Sequence, residues 1–559
     1  MDVKYIVGKE IKNLIKNNFN IELEEIKLEI PPKNNLGDYC FGAFALSKIL
    51  KKKPQEIAES IKEVFEKSEI LSDINIAGVF INFRVSEKVF ASEFKNAYLS
   101  RETFGYNGKG TGKHIIVDYI GANVGKPLHI GHMCTPNQGQ AMINLYRHKF
   151  GYNVISDTHL GDWGIIFGKL ITAYKLWGDE AELEKDAVNY LLKLYVKIST
   201  AAKEDEKLEQ RTRDEFKLLS EGNKESIDLW AKFTSFSIDR MQKTLDRMKI
   251  IPDYNIGESF YEGLNLPKMG NFPDLKNDMH SIVKELIEKK IATKNEDGSV
   301  GVIFPEETKI PSCILQKRDG THGYLASDLA CVKYRLQNWS RTEKVIYFID
   351  VRQSLHLKQV FEISKMAGFI NPEKTELIHA PNGFISLKEG AMSTRSGNII
   401  LLDKLLDEAI SRAKNIILEK RQDIEGEELE KLSETIGIGA IKYGYLSKNR
   451  TTDVIFDWDE FMTFEGNSGP YIAYAHVRAN KLINDSKIKD FDKYSSYTFA
   501  LQEEKNLIKM IFEYEQVILD TAKNNTPHLV AAYAYNLTKT FNSFYNNVKI
   551  LIVMMRKGN

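Results

Sequence analysis

Cysteine pairs, membrane-length apolar runs and an excess of one charge sign are all missing from this sequence. Its 559 residues include only four cysteines, Cys40, Cys134, Cys313 and Cys331, far apart and with no CxxC pair. That removes the usual signatures of a disulfide scaffold and of structural zinc, and leaves buried or incidental thiols. No apolar run approaches the ~18 residues that cross a bilayer. The opening Met1-Asp2-Val3-Lys4-Tyr5 lacks the basic-then-apolar layout of a secretory leader. A cytoplasmic protein with no membrane partner is expected. Lys plus Arg and Asp plus Glu number 77 each, so the formal net charge is zero. That excludes a generally basic coat for indiscriminate polyanion binding. Internal repeats and low-complexity tracts are absent too. Apolar residues at 43% and charged residues at 28% describe an ordinary globular chain, and at ~150 residues per domain the length predicts three or four domains.

The first hundred residues mix helical periodicity with strand-like runs at Ile74–Gly78 and Phe80–Phe83. They read as a small α+β domain over 1–100. Past a Gly-rich stretch at 105–112, His114–Tyr119 predicts a buried parallel strand. Short apolar runs at Val154–Ser156, Val300–Phe304 and Val345–Ile349 alternate with helical patterns, which predicts α/β winding over 101–430. Tyr190–Met248 is charged and Gly-poor, and predicts a helical insertion at about 180–250. Strand signals fade after about Leu401, so 431–559 is expected to be a helical bundle.

The densest chemistry follows the first buried strand, in Gly121-Ala122-Asn123-Val124-Gly125-Lys126-Pro127-Leu128-His129-Ile130-Gly131-His132. A strand, a Gly/Pro loop and a helix start form a natural phosphate site, because free N–H groups and the helix dipole favour an anion. Imidazoles at i, i+3 share one helical face and add donors. Gly131 removes a side chain where a flat base or ribose could approach. On these residues alone a half-buried histidine pair in a turn is also open. A metal reading needs a third ligand, and none is nearby in sequence. Gly108-Lys109-Gly110-Thr111-Gly112-Lys113 imitates a phosphate loop but lacks GxxxxGK[ST] and precedes a strand.

His129-Ile130-Gly131-His132 resembles the HIGH signature of class I aminoacyl-tRNA synthetases, and its surroundings resemble the arginyl-tRNA synthetase family. A second signature, Gly390-Ala391-Met392-Ser393-Thr394-Arg395-Ser396-Gly397-Asn398, is similar to that family's KMSTR-type loop. Leu160-Gly161-Asp162-Trp163-Gly164, Gly257-Glu258-Ser259-Phe260-Tyr261, Gln316-Lys317-x-Asp319-Gly320, Tyr324-x-x-x-Asp328 and Asp350-Val351-Arg352-Gln353-x-x-His356 follow the family's order. Leu36-Gly37-Asp38-Tyr39 and Ile76–Phe83 are similar to its N-terminal tRNA-contacting domain. Gly469–Arg478 and Phe541–Asn546 resemble its helical anticodon-binding domain.

The resemblance implies a Rossmann-type class I catalytic domain between an N-terminal α+β domain and a C-terminal helical bundle. It implies ATP-dependent ligation of L-arginine to arginine tRNA through an arginyl-adenylate, with ATP and Mg²⁺ as co-substrate, no zinc, and a monomer. Adenylate formation in relatives usually awaits bound tRNA. His129 and His132 would hold phosphates and stabilise charge, with Gly131 beside the nucleotide. Met392, Ser393, Thr394 and Arg395 would form a mobile loop over it. A lysine of the KMSTR pattern is replaced by Ala391, and Lys126 would supply the lost charge. Tyr324, Asp328 and Glu258 would meet the guanidinium, and Asp118, Asn123 and Gln353 the α-amino end. Tyr39, Arg478 and Tyr545 would contact tRNA.

Three features depart from the family pattern. Met133-Cys134-Thr135-Pro136 replaces the usual Leu-Arg-Ser, which predicts a kink or a restart with Thr135 as N-cap and Pro136 at the first position. Gly121 replaces a serine, and the chain ends before the family's final helix. The alternatives are another class I synthetase and a degenerate tRNA-binding paralogue. The neutral total is also an average. Thr103–Phe150 carries five Lys/Arg against one acid, and Thr521–Asn559 five against none.

Overall fold

The computed structural model describes residues 3–24, 26–33, 36–264, 266–387, 400–486 and 497–550. The chain forms two compact units. The larger comprises Asn107–Tyr471 and Ala522–Ala531, and the smaller Met1–Tyr106, Ile472–Thr521 and Ala532–Asn559.

The larger unit is built on five parallel strands: β1 (His114–Asp118), β2 (Asn153–Leu160), β3 (Tyr254–Gly257), β4 (Thr342–Tyr347) and β5 (Glu376–His379). Their spatial order is β5-β4-β1-β2-β3. Ile115, Ile116 and Val117 are fully buried, which is why β1 reads as a continuous apolar run: a parallel strand is covered on both faces. The winding reverses at β1, since β2 lies on one side and β4 on the other. In open parallel sheets, ligands bind at the carboxyl edge of that switch point. The segment that begins after β1 is therefore the one expected to meet substrate.

Val300–Val302 does not join this sheet. It pairs antiparallel with Ala292–Lys294 and Cys313–Gln316, because a short apolar run does not by itself say which sheet will bury it. Between β2 and β3 stand helices including Glu180–Lys185, Ala187–Glu204, Glu206–Ser220 and Lys224–Arg247. Asp179, Asp205 and Asn223 cap three of them by accepting N–H groups of their first turns.

Beneath the switch point lies a buried charge cluster. Asp118 on β1 is the register partner of Asp157 on β2, so two carboxylates stand side by side inside the unit. Arg335, fully buried on the helix Tyr324–Asn338, bridges them. Its Nη2 lies 2.8 Å from an oxygen of each, and its Nε donates to Asp157 at 3.0 Å.

In the smaller unit, Tyr39–Gly42, Phe80–Val85 and Leu71–Ala77 form an antiparallel sheet with Phe80–Val85 in the centre. Register pairs Ala77 with Phe80 across a two-residue turn, and Gly78 takes its first position at φ +64°, a conformation that costs glycine little. Val3, Val7, Ile11 and Ile15 of the first helix pack on this sheet, and Ile508 and Phe512 of the helix Gln502–Phe512 join the same core. Lys509 reaches Asp38 at 2.6 Å with both side chains buried. Asp38 also accepts the Val85 N–H at 2.9 Å, and a Cβ on Gly37 would stand 2.9 Å from the Phe83 carbonyl. Tyr39 is 1% exposed within this core. This corrects the tRNA role expected for it: the Leu36–Tyr39 segment is built for packing, and its tyrosine offers no face to a base.

Replacing Arg335 with methionine leaves two adjacent buried carboxylates unpaired. Loss of one partner of such a cluster costs about 3–5 kcal/mol. Thermal denaturation should register a lowered midpoint, and adding Asp157→Asn should restore part of it.

Candidate active site

The loop after β1 is held by interlocking backbone. Val124 N–H donates to the Gly161 carbonyl at 3.1 Å, and Gly161 N–H to Ala122 at 3.0 Å. A Cβ on Gly161 would stand 2.6 Å from Asn123 Oδ1, so a side chain there would displace the Asn123 amide from its present position. Gly125 adopts φ +85° and donates to Ser237 Oγ at 3.1 Å, which ties the loop to the helix Lys224–Arg247. Asp162 accepts from the N–H and Oγ of Ser259 at 2.8 and 2.6 Å. It thereby fixes the turn that carries Glu258.

His129 caps the short 3₁₀ turn Ile130–Met133, and the helix Cys134–Leu145 follows directly. The restart expected with Thr135 as N-cap therefore falls two residues earlier, with Met133 in that position. Pro136 sits in the first helical turn, where N–H groups lack intrahelical acceptors in any case, so its missing donor costs nothing.

Each signature histidine spends Nδ1 on the backbone. His129 Nδ1 accepts Gly131 N–H at 3.1 Å, and His132 Nδ1 accepts His129 N–H at 3.0 Å. Burial, then the charge of Lys126, lowers the pKa of His129. Burial, then His129, pushes His132 down to about 3. Both rings are therefore neutral with the proton on Nε2, two fixed donors that need no positive charge. A Cβ at Gly131 would meet the His129 ring at 2.8 Å. The space that the sequence reserved for a nucleotide is thus filled by the signature's own first histidine.

The segment bearing the second signature returns to this turn. Ile130 N–H donates to the Ile400 carbonyl at 3.0 Å and Leu402 N–H to Leu128 at 2.9 Å. Met392, Ser393, Thr394 and Arg395, with Ala391, lie outside the described residues.

A second cluster is acidic. Asp328 is hydrogen-bonded to His356 Nε2 and lies 3.4 Å from His159 Nε2. Burial acts to raise its pKa, but the bond from His356 and the charges of both histidines outweigh this and hold it below the usual carboxylate range. Glu258 is pushed the other way, up to about 8, by burial and then by the negative charges of Asp328 and Asp162. The cluster thus combines one ionised carboxylate with one carboxyl group whose ionisation its neighbours oppose, and a cation beside both would favour the ionised form of Glu258.

The structure brings Glu258 and Asp328 together as the sequence suggested and adds His159 and His356. Tyr324 opens the helix Tyr324–Asn338 and is 73% exposed. Asn123, bridged to Gly161, and Gln353, at the end of the 3₁₀ turn Val351–Gln353, are exposed. Asp118 departs from the expectation: it is 2% exposed, and one of its carboxylate oxygens accepts from Arg335 while the other has no hydrogen-bond partner among the described residues. Lys126 Nζ sits 4.5 Å from the centre of the Tyr195 ring. In the smaller unit, the Arg478 guanidinium lies 4.4 Å from the ring centre of Tyr474 and 5.2 Å from that of Tyr545, and donates to Asn542 at 3.1 Å. Arg335, Asp157 and His159 escaped the sequence reading, because each stands within an apolar or mixed run with no local motif.

The chain matches the family model of class I tRNA synthetases (R), catalytic domain, over residues 95–458. It also matches those of the arginyl tRNA synthetase N terminal domain over 2–85 and the DALR anticodon binding domain over 472–555. The arginine–tRNA ligase of Fusobacterium nucleatum is 35% identical over 552 residues, covering 98% of this chain and 92% of that protein. The one from Clostridium perfringens is 35% identical over 562 residues, covering 99% and 94%. Arginyl-tRNA synthetase structures from Plasmodium falciparum and Thermus thermophilus share the fold, with TM-scores of 0.76 and 0.75 at 23% and 21% identity. They cover 98% of this chain and 94% and 92% of theirs. Two interlocked neutral histidines after the switch-point strand, and a separate cluster of Glu258, Asp328 and two further histidines, thus sit in a sequence that belongs to the class I arginyl-tRNA synthetase family.

Proposed function

We infer that the chain ligates L-arginine to arginine tRNA at the expense of ATP, and that the two clusters divide the work. The observation that carries this reading is the pairing of fixed, uncharged donors with an anionic pocket. In the first step the arginine carboxylate oxygen attacks the α-phosphorus and pyrophosphate leaves. In the second, a ribose hydroxyl at the tRNA 3′ end attacks the activated carbonyl, and AMP leaves. Neither step needs a covalent enzyme nucleophile, so alignment and charge stabilisation carry the rate. His129 and His132 donate from Nε2 to phosphate oxygens. Lys126 supplies positive charge near the α-phosphate, leaving Tyr195 to do so. Asp328 and Glu258 take the guanidinium, with Tyr324 closing over it. Asn123 and Gln353 are the remaining candidates for the α-amino end. ATP enters with Mg²⁺ as substrate. Arg478, held between Tyr474 and Tyr545, is the proposed RNA contact of the smaller unit.

ATP–pyrophosphate exchange tests the reading, run with each amino acid and with or without arginine tRNA. Exchange confined to arginine supports it. Exchange with another amino acid selects a different class I activity, and none at all, with tight tRNA binding, selects a non-catalytic RNA-binding role. In the same assay Lys126→Ala should slow exchange on the order of 10²-fold, and an unchanged rate would remove Lys126 from the chemistry.

Asp328→Asn should raise the KM for arginine on the order of 10²-fold, about 3 kcal/mol, since it breaks a partly buried charge pair. Normal arginine affinity would count against the pocket.

Glu258 gives a pH signature. In the free protein it titrates at about 8, and a bound guanidinium favours its ionised form. Arginine binding below that pH must therefore expel a proton. Affinity measured calorimetrically should rise with pH, by up to roughly tenfold per unit, and level off above about 8. Glu258→Gln should flatten the profile.

A further inference from the structure

Glu262, His280 and His322 lie 18 and 42 residues apart in sequence and on three separate elements, yet their ligating atoms all fall within 4.8 Å of one another. Glu262 ends the short helix that begins at Glu258. His280 is the second residue of the helix Met279–Glu288, and His322 pairs with Gln316 in an isolated bridge two residues before Tyr324, with the Gln316 amide nitrogen 3.3 Å from its Nε2. The two imidazoles meet edge to face, with ring centres 4.4 Å apart and planes at 89°. Such contact puts nitrogens of both rings beside one carboxylate. Glu262 is half-buried, and burial raises its pKa against the opposing pull of His280. Among the described residues, no hydrogen bond or ion pair reaches its carboxylate. His322 is half-buried, and a neutral imidazole is the form that ligates.

We propose that Glu262, His280 and His322 bind a divalent transition-metal ion of the zinc class. Two imidazoles and a carboxylate suit zinc, whose bonds to them run about 2.0–2.2 Å and bring the ligand atoms to roughly 3.3–3.5 Å of each other. Rotation of exposed His280 alone can supply much of that closure. Magnesium does not compete, because it selects oxygen ligands and keeps its waters. The site is therefore separate from the cation that accompanies ATP. Asp278, which caps the Met279–Glu288 helix through Ser281 N–H at 2.7 Å, adds negative charge beside the trio. The ion would clamp three segments at once. One carries Glu258 four residues away, and another carries Tyr324 two residues away. Metal binding thus stiffens two walls of the proposed arginine pocket without touching the substrate.

Titration of the chelator-treated full chain with zinc, in millimolar magnesium, tests this. One equivalent should bind, and cobalt at the same site should give the visible absorption of a low-symmetry, near-tetrahedral ion. His322→Ala and Glu262→Gln should each weaken binding on the order of 10²-fold or more. Circular dichroism and pyrophosphate exchange without added zinc should confirm that the variants are folded. No saturable binding, or an equivalent that both variants leave unchanged, overturns the proposal. Neither outcome bears on the amino acid activated.

Discussion

One buried guanidinium organises the larger unit. Asp118 and Asp157 face each other on neighbouring strands at the place where the sheet reverses its winding, and two such carboxylates cannot share a dry interior without a cation. Arg335 bridges both through one oxygen of each, and its planar fork permits few approach directions. The helix that carries it is thereby fixed in rotation as well as in depth. Two turns earlier on that helix stands Asp328, aimed at His159 of β2 and His356 beyond β4. A permanent internal cation at one end of the helix thus sets the position of the carboxylate offered to a cationic side chain at the other.

The two ends of the site differ in how they handle charge. At the HIGH turn the histidines are uncharged. In the acidic cluster Asp328 is ionised against two histidines, while burial and neighbouring carboxylates hold the proton on Glu258. Arginine carries both signs, a carboxylate at one end and a guanidinium at the other. Under the function proposed above, its carboxylate faces the histidines, and its guanidinium exchanges for the proton of Glu258.

Local pattern made much of this legible. The apolar run of β1 announced a strand covered on both sides, and the loop after it drew attention through its glycines and paired histidines. Asp328 and Glu258 were found as members of ordered motifs, and the structure places them together. What stayed hidden depends on sequence distance. Arg335 lies more than two hundred residues from Asp118, and nothing near either one announces the other. Tyr39 and Asp118 differ from expectation for a related reason: a residue in a motif can serve packing as easily as substrate, and only burial separates the two. Val300–Val302 was assigned to the wrong sheet because three strand residues carry no record of their partner.

The HIGH turn is best understood as a single folded object. Its first histidine needs the glycine two places on, because its ring lies where a side chain would begin. That glycine returns a hydrogen bond to the ring, and the second histidine accepts the backbone N–H of the first. None of the three can be exchanged without disturbing the other two, even with no ligand bound. A change at any of these positions would therefore cost the shape of the turn before it cost any contact with a nucleotide.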